Sequence, residues 1–492
     1  MVSLFWRIEA SSMPDPPPGT SAFSMAWQLR SIAQILTKWS DSVHGPGKRT
    51  MADPSSAPDI RAGRRTPAQY AAAFADAAPR LTRAQALAET ERCLYCYDAP
   101  CMQACPTGID VPGFIKRIAD DNLRGAARLI LDANPLGGTC ARACPTEVLC
   151  EQVCVRNVQQ GKPVEIGRLQ RHAVDAVMAQ PVTALFTRAA PTGRRIAVVG
   201  AGPAGLACAF MLARRGHDVV IHDARAAAGG LNEYGLASYK MAGGFAQAEL
   251  DWLLQIGGIT LQLNWRLESA TQLQALQAGF DAVYLAVGLG RTNRLGIPGD
   301  HLHGVRDAVD FIAELRQAQD LATLPIGRRV VVIGGGMTAV DAAVQSRLLG
   351  AEDVHMVYRR GPEAMSASPA EREWAQTNGV TLHFGLAPVE IVGSGSHVAA
   401  VRFAREGGQE TFAADMVLKA IGQQFDASPF NGSGLTLQGG RIAADADGRT
   451  GVPRLYAGGD CRMGGRDLTV EAVEDGKRAA AAIHSELEAV AA

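Results

Sequence analysis

The chain has 492 residues, with 48 basic and 49 acidic side chains and a formal net charge of −1. That balance speaks against a nucleic-acid-binding protein, and no apolar run approaches the roughly 18 residues that a bilayer-spanning helix needs. With 47% hydrophobic residues and 53 glycines, the expectation is a soluble, cytoplasmic protein of about two to four domains, with several tight glycine turns and thiols kept reduced.

Residues 1–55 read as a disordered or accessory extension. They hold the run Pro16-Pro17-Pro18, an amphipathic-looking piece over 27–39, and Gly45 and Gly47. They lack the compact apolar core and cleavage site of a targeting segment, and Met51-Ala52-Asp53 would itself make a natural start.

Residues 56–187 predict a helical domain. A helix starts near Leu81-Thr82-Arg83. Two more are expected over 111–122 and 124–134, parted near Gly125, because Ile115, Ile118, Leu123, Ala127, Ile130 and Leu131 recur at helical spacing. Pro135 and Gly137-Gly138 are expected to end the second, with the cysteines on loops.

Eight of the ten cysteines fall in this domain. Cys93, Cys96, Cys101 and Cys105 read C-x2-C-x4-C-x3-C-P. Cys140, Cys144, Cys150 and Cys154 read C-x3-C-P-x4-C-x3-C. Close runs of thiolates are the usual ligands of iron–sulfur clusters, and the first spacing is of ferredoxin type. Two [4Fe-4S] clusters are therefore expected. Structural zinc is the main rival, although zinc motifs more often pair two C-x2-C knuckles. Disulfides suit a small secreted chain, which this is not.

Residues 181–193 read as a linker. A buried strand over 195–199 then runs into Gly200-Ala201-Gly202-Pro203-Ala204-Gly205, a helix over 206–215, and a second strand over 218–222 that ends at Asp223. Strand, G-x-G-x-x-G, helix, strand, acid is the order of a dinucleotide-binding fold. Gly200, Gly202 and Gly205 serve the turn, the approach of pyrophosphate and the helix packing. The helix N-terminus offers N–H donors, and Asp223 is the expected ribose partner.

The pattern recurs at 329–357. Gly334, Gly336 and Ala339 give G-x-G-x-x-A, with Thr338 beside them. Tyr358-Arg359-Arg360 stands where an acid would select NAD. Arginines there favour the 2′-phosphate of NADP, unless they are solvated or pair with Glu363 or Glu371. Near the end, a short strand over 454–457 leads to Gly458-Gly459-Asp460, and a helix is expected over 468–482. Two nucleotide folds and this terminal segment suggest one domain inserted into another.

With these motifs in order, the chain resembles the flavin-containing electron-input subunits related to dihydropyrimidine dehydrogenase and the glutamate synthase small subunit. The resemblance runs from about Arg61 to the end. It implies an α/β chain: an N-terminal α-helical two-cluster iron–sulfur domain, then two Rossmann-like domains, with the NAD(P)H domain inserted into the FAD domain. The boundaries would be 56–187, 188–302 (FAD, first part), 303–422 (NAD(P)H) and 423–492 (FAD, second part).

Cys140-Ala141-Arg142-Ala143-Cys144-Pro145-Thr146-Glu147 and Ile166-Gly167-Arg168-Leu169-Gln170-Arg171 resemble the dihydropyrimidine dehydrogenase branch. That resemblance implies interleaved ligands: Cys93, Cys96, Cys101 and Cys154 for one cluster, and Cys105, Cys144, Cys150 and the Gln170 side chain for the other, leaving Cys140 unliganded. Spacing alone would give each local group its own cluster. Gly230 and Leu231, within Gly229-Gly230-Leu231-Asn232-Glu233, resemble the flavin-contacting loop. Gly459, Asp460 and Thr469 match the segment closing over the flavin. Cys208 and Cys461 are expected to be packing residues.

The implied activity is NAD(P)H oxidation through FAD and two clusters, with no catalytic acid or base identified. No residues remain for a (β/α)8 barrel of about 250 residues. The resemblance thus implies a hetero-oligomer with an FMN-containing barrel subunit, carrying an iron–sulfur region, that interconverts uracil or thymine with 5,6-dihydropyrimidines. The alternative is a glutamate synthase small subunit feeding a large glutamine-dependent partner.

Overall fold

The computed structural model describes residues 64–491, so the expected extension at 1–55 lies outside the described residues. The helical part opens with α1 (Pro67–Ala73) and α2 (Arg83–Thr90), and each starts in a capping box. Thr66 pairs with Gln69, and Thr82 with Gln85, so that side chain and backbone satisfy each other's first-turn groups. A short α3 (Pro100–Gln103) precedes α4 (Val111–Ala119), which Asp110 caps by accepting from Gly113 N at 2.9 Å.

α5 (Leu123–Ala133) begins at an Asn122 cap, with Gly125 N donating to Asn122 Oδ1 at 2.8 Å. The break between these helices lies at Asp121, which has φ 59°, and not at Gly125, whose amide is a first-turn donor that the cap satisfies. Gly137-Gly138 also behave differently from expectation: they start α6 (Gly137–Ala143). Their missing side chains admit close neighbours, since a Cβ on Gly138 would lie 2.5 Å from the Phe245 ring. α7 (Val155–Gln160) and α8 (Ile166–Val177) complete the domain. Cys101 and Cys140 therefore sit in helices rather than on loops.

Ile115, Ile118, Ala127, Ile130 and Leu131 are all buried, each large side chain contributing about 1.5–3 kcal/mol. The stretch 181–193 is not a free linker. Val182, Leu185 and Phe186 are buried, and the Phe186 ring meets Phe210 edge-on at 5.9 Å and Trp252 at 6.5 Å. One apolar cluster thereby runs from Ile115 and Leu169 into Phe210 and Tyr456.

The first nucleotide fold comprises β1 (Arg195–Val199), α9 (Pro203–Arg214), β2 (Asp218–His222), α10 (Leu231–Tyr234), α11 (Phe245–Leu254), β3 (Ile259–Gln262), α12 (Ala270–Gly279) and β4 (Ala282–Leu285). After the exposed Arg195, the rest of β1 is apolar and buried, as befits a strand covered on both sheet faces. The chain then leaves through β5 (Arg291–Thr292).

The second fold follows: β6 (Val305–Asp307), α13 (Ala308–Gln317), β7 (Arg329–Gly334), α14 (Met337–Leu349), β8 (Asp353–Tyr358), α15 (Pro369–Thr377) and β9 (Thr381–Phe384). An antiparallel meander not foreseen from the sequence, β10 (Ala387–Ser394), β11 (His397–Arg405) and β12 (Gly408–Ala413), precedes β13 (Met416–Ala420). The return strand β14 (Gln423–Gln424) pairs antiparallel with β5.

After the hairpin β15 (Leu437–Gln438) and β16 (Arg441–Ile442), β17 (Leu455–Ala457) and α16 (Thr469–Ala491) close the chain. The two parallel sheets have the orders β17-β4-β1-β2-β3 and β6-β13-β7-β8-β9. β17 pairs with β4, Leu455 opposite Val283, so the whole second sheet lies in sequence between two neighbouring strands of the first.

Candidate functional site: a thiol cavity and two glycine cradles

In the helical part, Cys93, Cys96, Cys101 and Cys154 line one cavity with Leu94, Val111, Pro112, Ile115, Val164 and Ile166. Cys154 comes from the far cysteine group, and Cys105 is not in the lining. These are the four thiols that the resemblance assigns to one cluster. They ring a space rather than converge. The donor set fits a bulkier four-iron group. Burial, with Cys93 and Cys154 nearby, pushes the Cys101 thiol up to about 12, so such sulfurs need a positive partner to hold charge.

Cys105, Cys144 and Cys150 form a second group. Burial, then the neighbouring cysteines Cys140, Cys150 and Cys105, raises the Cys144 thiol well above its ordinary value. Cys150 is raised by burial, with Glu151, Cys105 and Cys101 adding to it. Gln170 is 7% exposed, and its Nε2 donates to Gly137 O at 2.7 Å. That bond uses the amide's donor side and leaves Oε1 as the atom offered to a ligand. Cys140 is buried in α6, with Asn134 beside its thiol.

The first fold presents a cradle that side chains would fill. Gly200 has φ 107°, and a Cβ there would lie 2.2 Å from Ala286 O. On Gly205 it would lie 1.9 Å from Gly200 O. Gly202 faces open space, its nearest neighbour being Gly230 Cα at 3.8 Å, while a Cβ on Gly230 would lie 2.6 Å from Gly202 Cα. Backbone is thus exposed at the α9 N-terminus, where a pyrophosphate fits. Asp223 Oδ2 accepts from Ala201 N at 2.7 Å and its Oδ1 from Arg225 N at 2.8 Å, which fixes the carboxylate at the mouth of the turn.

Other expected flavin residues gather on this cradle. Leu231 opens α10 and is 41% exposed. Thr469 Oγ1 donates to Asn232 Oδ1 at 3.1 Å, joining the start of α16 to the glycine loop. A Cβ on Gly459 would lie 3.1 Å from Ala204 Cβ. Burial, with Asp467 adding to it, pushes the Asp460 carboxyl up to about 7. Cys208 is buried inside α9, and Cys461 donates to Gly458 O at 3.3 Å.

In the second fold, Gly334 at φ 156° would place a Cβ 2.2 Å from Ala420 O. Gly335, which the G-x-G reading left as a variable position, lies under the Tyr358 ring, 2.4 Å from where its Cβ would be. The only signal for it was the run of three glycines. Gly336 faces Ser366 Oγ, and Thr338 and Ala339 lie in the first turn of α14. Arg359 and Arg360 are exposed past β8. The Arg360 guanidinium sits 5.4 Å from the Tyr358 ring centroid, and Glu371 is engaged instead by Lys240 at 2.7 Å.

Sequence reasoning missed the groups that join the parts. Arg316 on α13 donates to Glu233 O at 2.7 Å, and Gln317 to Glu233 Oε1 at 2.7 Å. Ser368 Oγ donates to Glu147 Oε1 at 2.5 Å, linking α15 to the loop after Cys144. Arg316, Gln317 and Ser368 belong to no spaced motif, so no local pattern marks them, although their acceptors Glu233 and Glu147 lie in segments the motifs had singled out.

Residues 194–476 match the family described as pyridine nucleotide-disulphide oxidoreductase, and residues 70–182 match "Dihydropyrimidine dehydrogenase domain II, 4Fe-4S cluster". The chain is 35% identical over 410 residues to the NAD-dependent dihydropyrimidine dehydrogenase subunit PreT of Escherichia coli K12, covering 83% of this chain and 96% of that one. It is 32% identical to the glutamate synthase [NADPH] small chain of the same strain, covering 82% and 92%. Among solved structures, FprA of Mycobacterium tuberculosis superposes with a TM-score of 0.51 at 21% identity, over 61% of this chain and 85% of that one, which supports the fold.

Proposed function

The chain belongs to the pyridine nucleotide-disulphide oxidoreductases and to the family of the dihydropyrimidine dehydrogenase subunit PreT, and from that membership we propose that it oxidises NAD(P)H and delivers the electrons, through FAD and two [4Fe-4S] clusters, to a partner subunit that interconverts pyrimidines and 5,6-dihydropyrimidines. It is an NAD(P)H-dependent flavin and iron–sulfur oxidoreductase subunit. The observation that carries the finer reading is the ring of Cys93, Cys96, Cys101 and Cys154, set in a domain that shares one apolar core with the flavin fold. A shared core supports a fixed relation between cluster and flavin sites, which electron passage needs.

When bound, FAD and the clusters supply exchange between two-electron and one-electron chemistry. The chain's own residues do the rest. Gly200, Gly202, Gly205 and Gly230 clear the space for the FAD pyrophosphate, and Asp223 receives its ribose hydroxyls. Gly334, Gly336, Thr338 and Ala339 bind the second dinucleotide, and Arg359 and Arg360 favour NADPH through its 2′-phosphate. Cys105, Cys144, Cys150 and Gln170 hold the second cluster. The partner carries FMN in a barrel and an iron–sulfur region, and the two chains form a hetero-oligomer in the cytoplasm.

The test is reconstitution. Purified anaerobically, the chain alone should carry about eight irons and eight acid-labile sulfides and reduce an artificial acceptor with NAD(P)H. It should convert uracil only when a flavin barrel subunit is added. Stoichiometric zinc without sulfide would overturn the cluster reading. A second reading rests on the likeness to the glutamate synthase small chain. Glutamate formation with a glutamine-dependent partner, and no uracil reduction with the barrel subunit, would replace the first reading by that one.

A further inference from the structure

Glu249 is a buried carboxylate that neither the nucleotide motifs nor the cysteine motifs call for. It sits on α11 of the flavin fold, 1% exposed, and reaches across to α6 of the helical domain. Its Oε1 accepts from Gly138 N at 2.8 Å and Thr139 N at 3.0 Å. Its Oε2 accepts from Thr139 N at 3.3 Å and from the Thr139 hydroxyl. These amides are first-turn donors of α6, which have no acceptor within their own helix.

The same helix end carries the Gly137 carbonyl that receives Gln170 Nε2 at 2.7 Å. The other end runs straight into Cys144. A second set of contacts closes the frame. Phe245, one turn before Glu249 on α11, packs on Gly138, and the Arg142 guanidinium lies 3.3 Å from its ring centroid. Arg142 donates to Gly138 O at 3.0 Å and to both oxygens of Asp175 at 2.8 and 2.9 Å. Asp175 lies on α8, the helix of Gln170. An acid at this depth carries a desolvation cost, and its hydrogen bonds are all spent on one turn of one helix.

We propose that Glu249 is a positioning residue for the second cluster: by holding the first turn of α6 from the flavin fold, it fixes the carbonyl that orients the Gln170 amide and sets the direction from which Cys144 arrives. The proposal rests on the reading of Gln170 and Cys144 as cluster ligands. It also makes the flavin fold a part of the second cluster's support, which the domain boundaries alone do not suggest.

The test compares full-length parent, Glu249→Ala, Glu249→Gln and Gln170→Ala, all prepared anaerobically. Iron, flavin, the paramagnetic resonance of the reduced clusters and their midpoint potentials are read. Glutamine keeps an acceptor for Gly138 N and Thr139 N, and alanine removes it. Glu249→Ala should change or lose one of the two cluster signals and leave the other signal and the flavin content parental. Glu249→Gln should restore most of the changed signal. Parental spectra and potentials in Glu249→Ala would overturn the proposal. So would loss of both clusters and flavin together in both Glu249 variants, since that is a role in folding alone. Gln170→Ala separates the premise: a parental spectrum there removes the ligand reading, whereas an altered one beside a parental Glu249→Ala removes only the positioning role.

Discussion

Lys240 Nζ lies 2.8 Å from Asp341 Oδ1. Lys240 follows the flavin-side glycine loop, and Asp341 is on α14 of the second fold, so the pair joins the two nucleotide folds. Glu371 takes the same ammonium at 2.7 Å, and Tyr239 OH donates to Asp341 Oδ1 at 2.9 Å. Burial would lower the Lys240 pKa, but the two carboxylates hold it above the ordinary lysine value. Lys240→Met leaves two acids buried without a cation, a change of about 3–5 kcal/mol in the destabilising direction. The expected result is a lower Tm and slower flavin reduction by NAD(P)H in anaerobic stopped flow, with flavin content retained. An unchanged Tm would show that the pair does not hold the folds together.

The flavin cradle gives a second expectation. Gly230 has φ 55°, and its Cβ would lie 2.6 Å from Gly202 Cα. Gly230→Ala must therefore push the two loops apart, at about 1–3 kcal/mol, and should lower the flavin retained per chain through gel filtration. Asp223→Ala removes the acceptor of Ala201 N and the proposed ribose partner, and should weaken flavin retention by about 1.5–3 kcal/mol. Full flavin occupancy in both variants would mean that the dinucleotide lies elsewhere.

Nucleotide choice is a third. Replacing Arg359 and Arg360 together with glutamine should raise KM for NADPH strongly and for NADH little, because only NADPH offers a 2′-phosphate to a guanidinium. Parent protein with a higher kcat/KM for NADH than for NADPH would sink the assignment. Equal losses for both nucleotides in the double variant would point to the shared pyrophosphate or to the fold.

Acid sensitivity is a fourth. His217 is 1% exposed, and its Nε2 meets His484 Nδ1 at 2.9 Å while its Nδ1 meets Thr192 Oγ1 at 2.7 Å. Burial, then the neighbouring His484 and Arg215, pushes it down to about 4 from 6.5, against a smaller pull from Glu488 and Asp281. The unfolded chain thus binds this proton more readily between those values. The stability is whole above pH 6.5 and is lost as pH falls toward 4. His217→Gln should reduce the drop in Tm between pH 7 and pH 5, by an equivalent of about 2 kcal/mol. The same drop in parent and variant would mean that other groups govern acid unfolding.

Much of this was written locally. The order of strand, glycine turn, helix, strand and acid depends on backbone conformation and short-range packing, so the sequence alone located β1, β2, β7 and β8 to within a residue or so, and it located Gly200, Gly205 and Gly334. Thr82 likewise announced α2. Where a cap and a glycine competed, as at Asn122 and Gly125, the cap decided the boundary, because it satisfies an amide that the glycine cannot.

Other features depend on residues far apart in the chain, and no spacing rule carries them. Cys154 joins Cys93, Cys96 and Cys101 around one cavity, walled by Val111 and Ile115 of α4 and Ile166 of α8; counting along the chain would have put Cys105 there. The terminal segment already suggested an insertion, and the pairing of β17 with β4 is what realises it. Gly335 meets Tyr358 within its own fold, while Lys240, Asp341 and Glu249 meet their partners across domain seams, where burial turns an ordinary residue into a specific one. Composition and motif thus determined which chemistry the chain is built for, while the packing of helix on sheet decided which thiols, amides and carboxylates face each other. Those contacts are set by a shared core, and a linear pattern does not encode them.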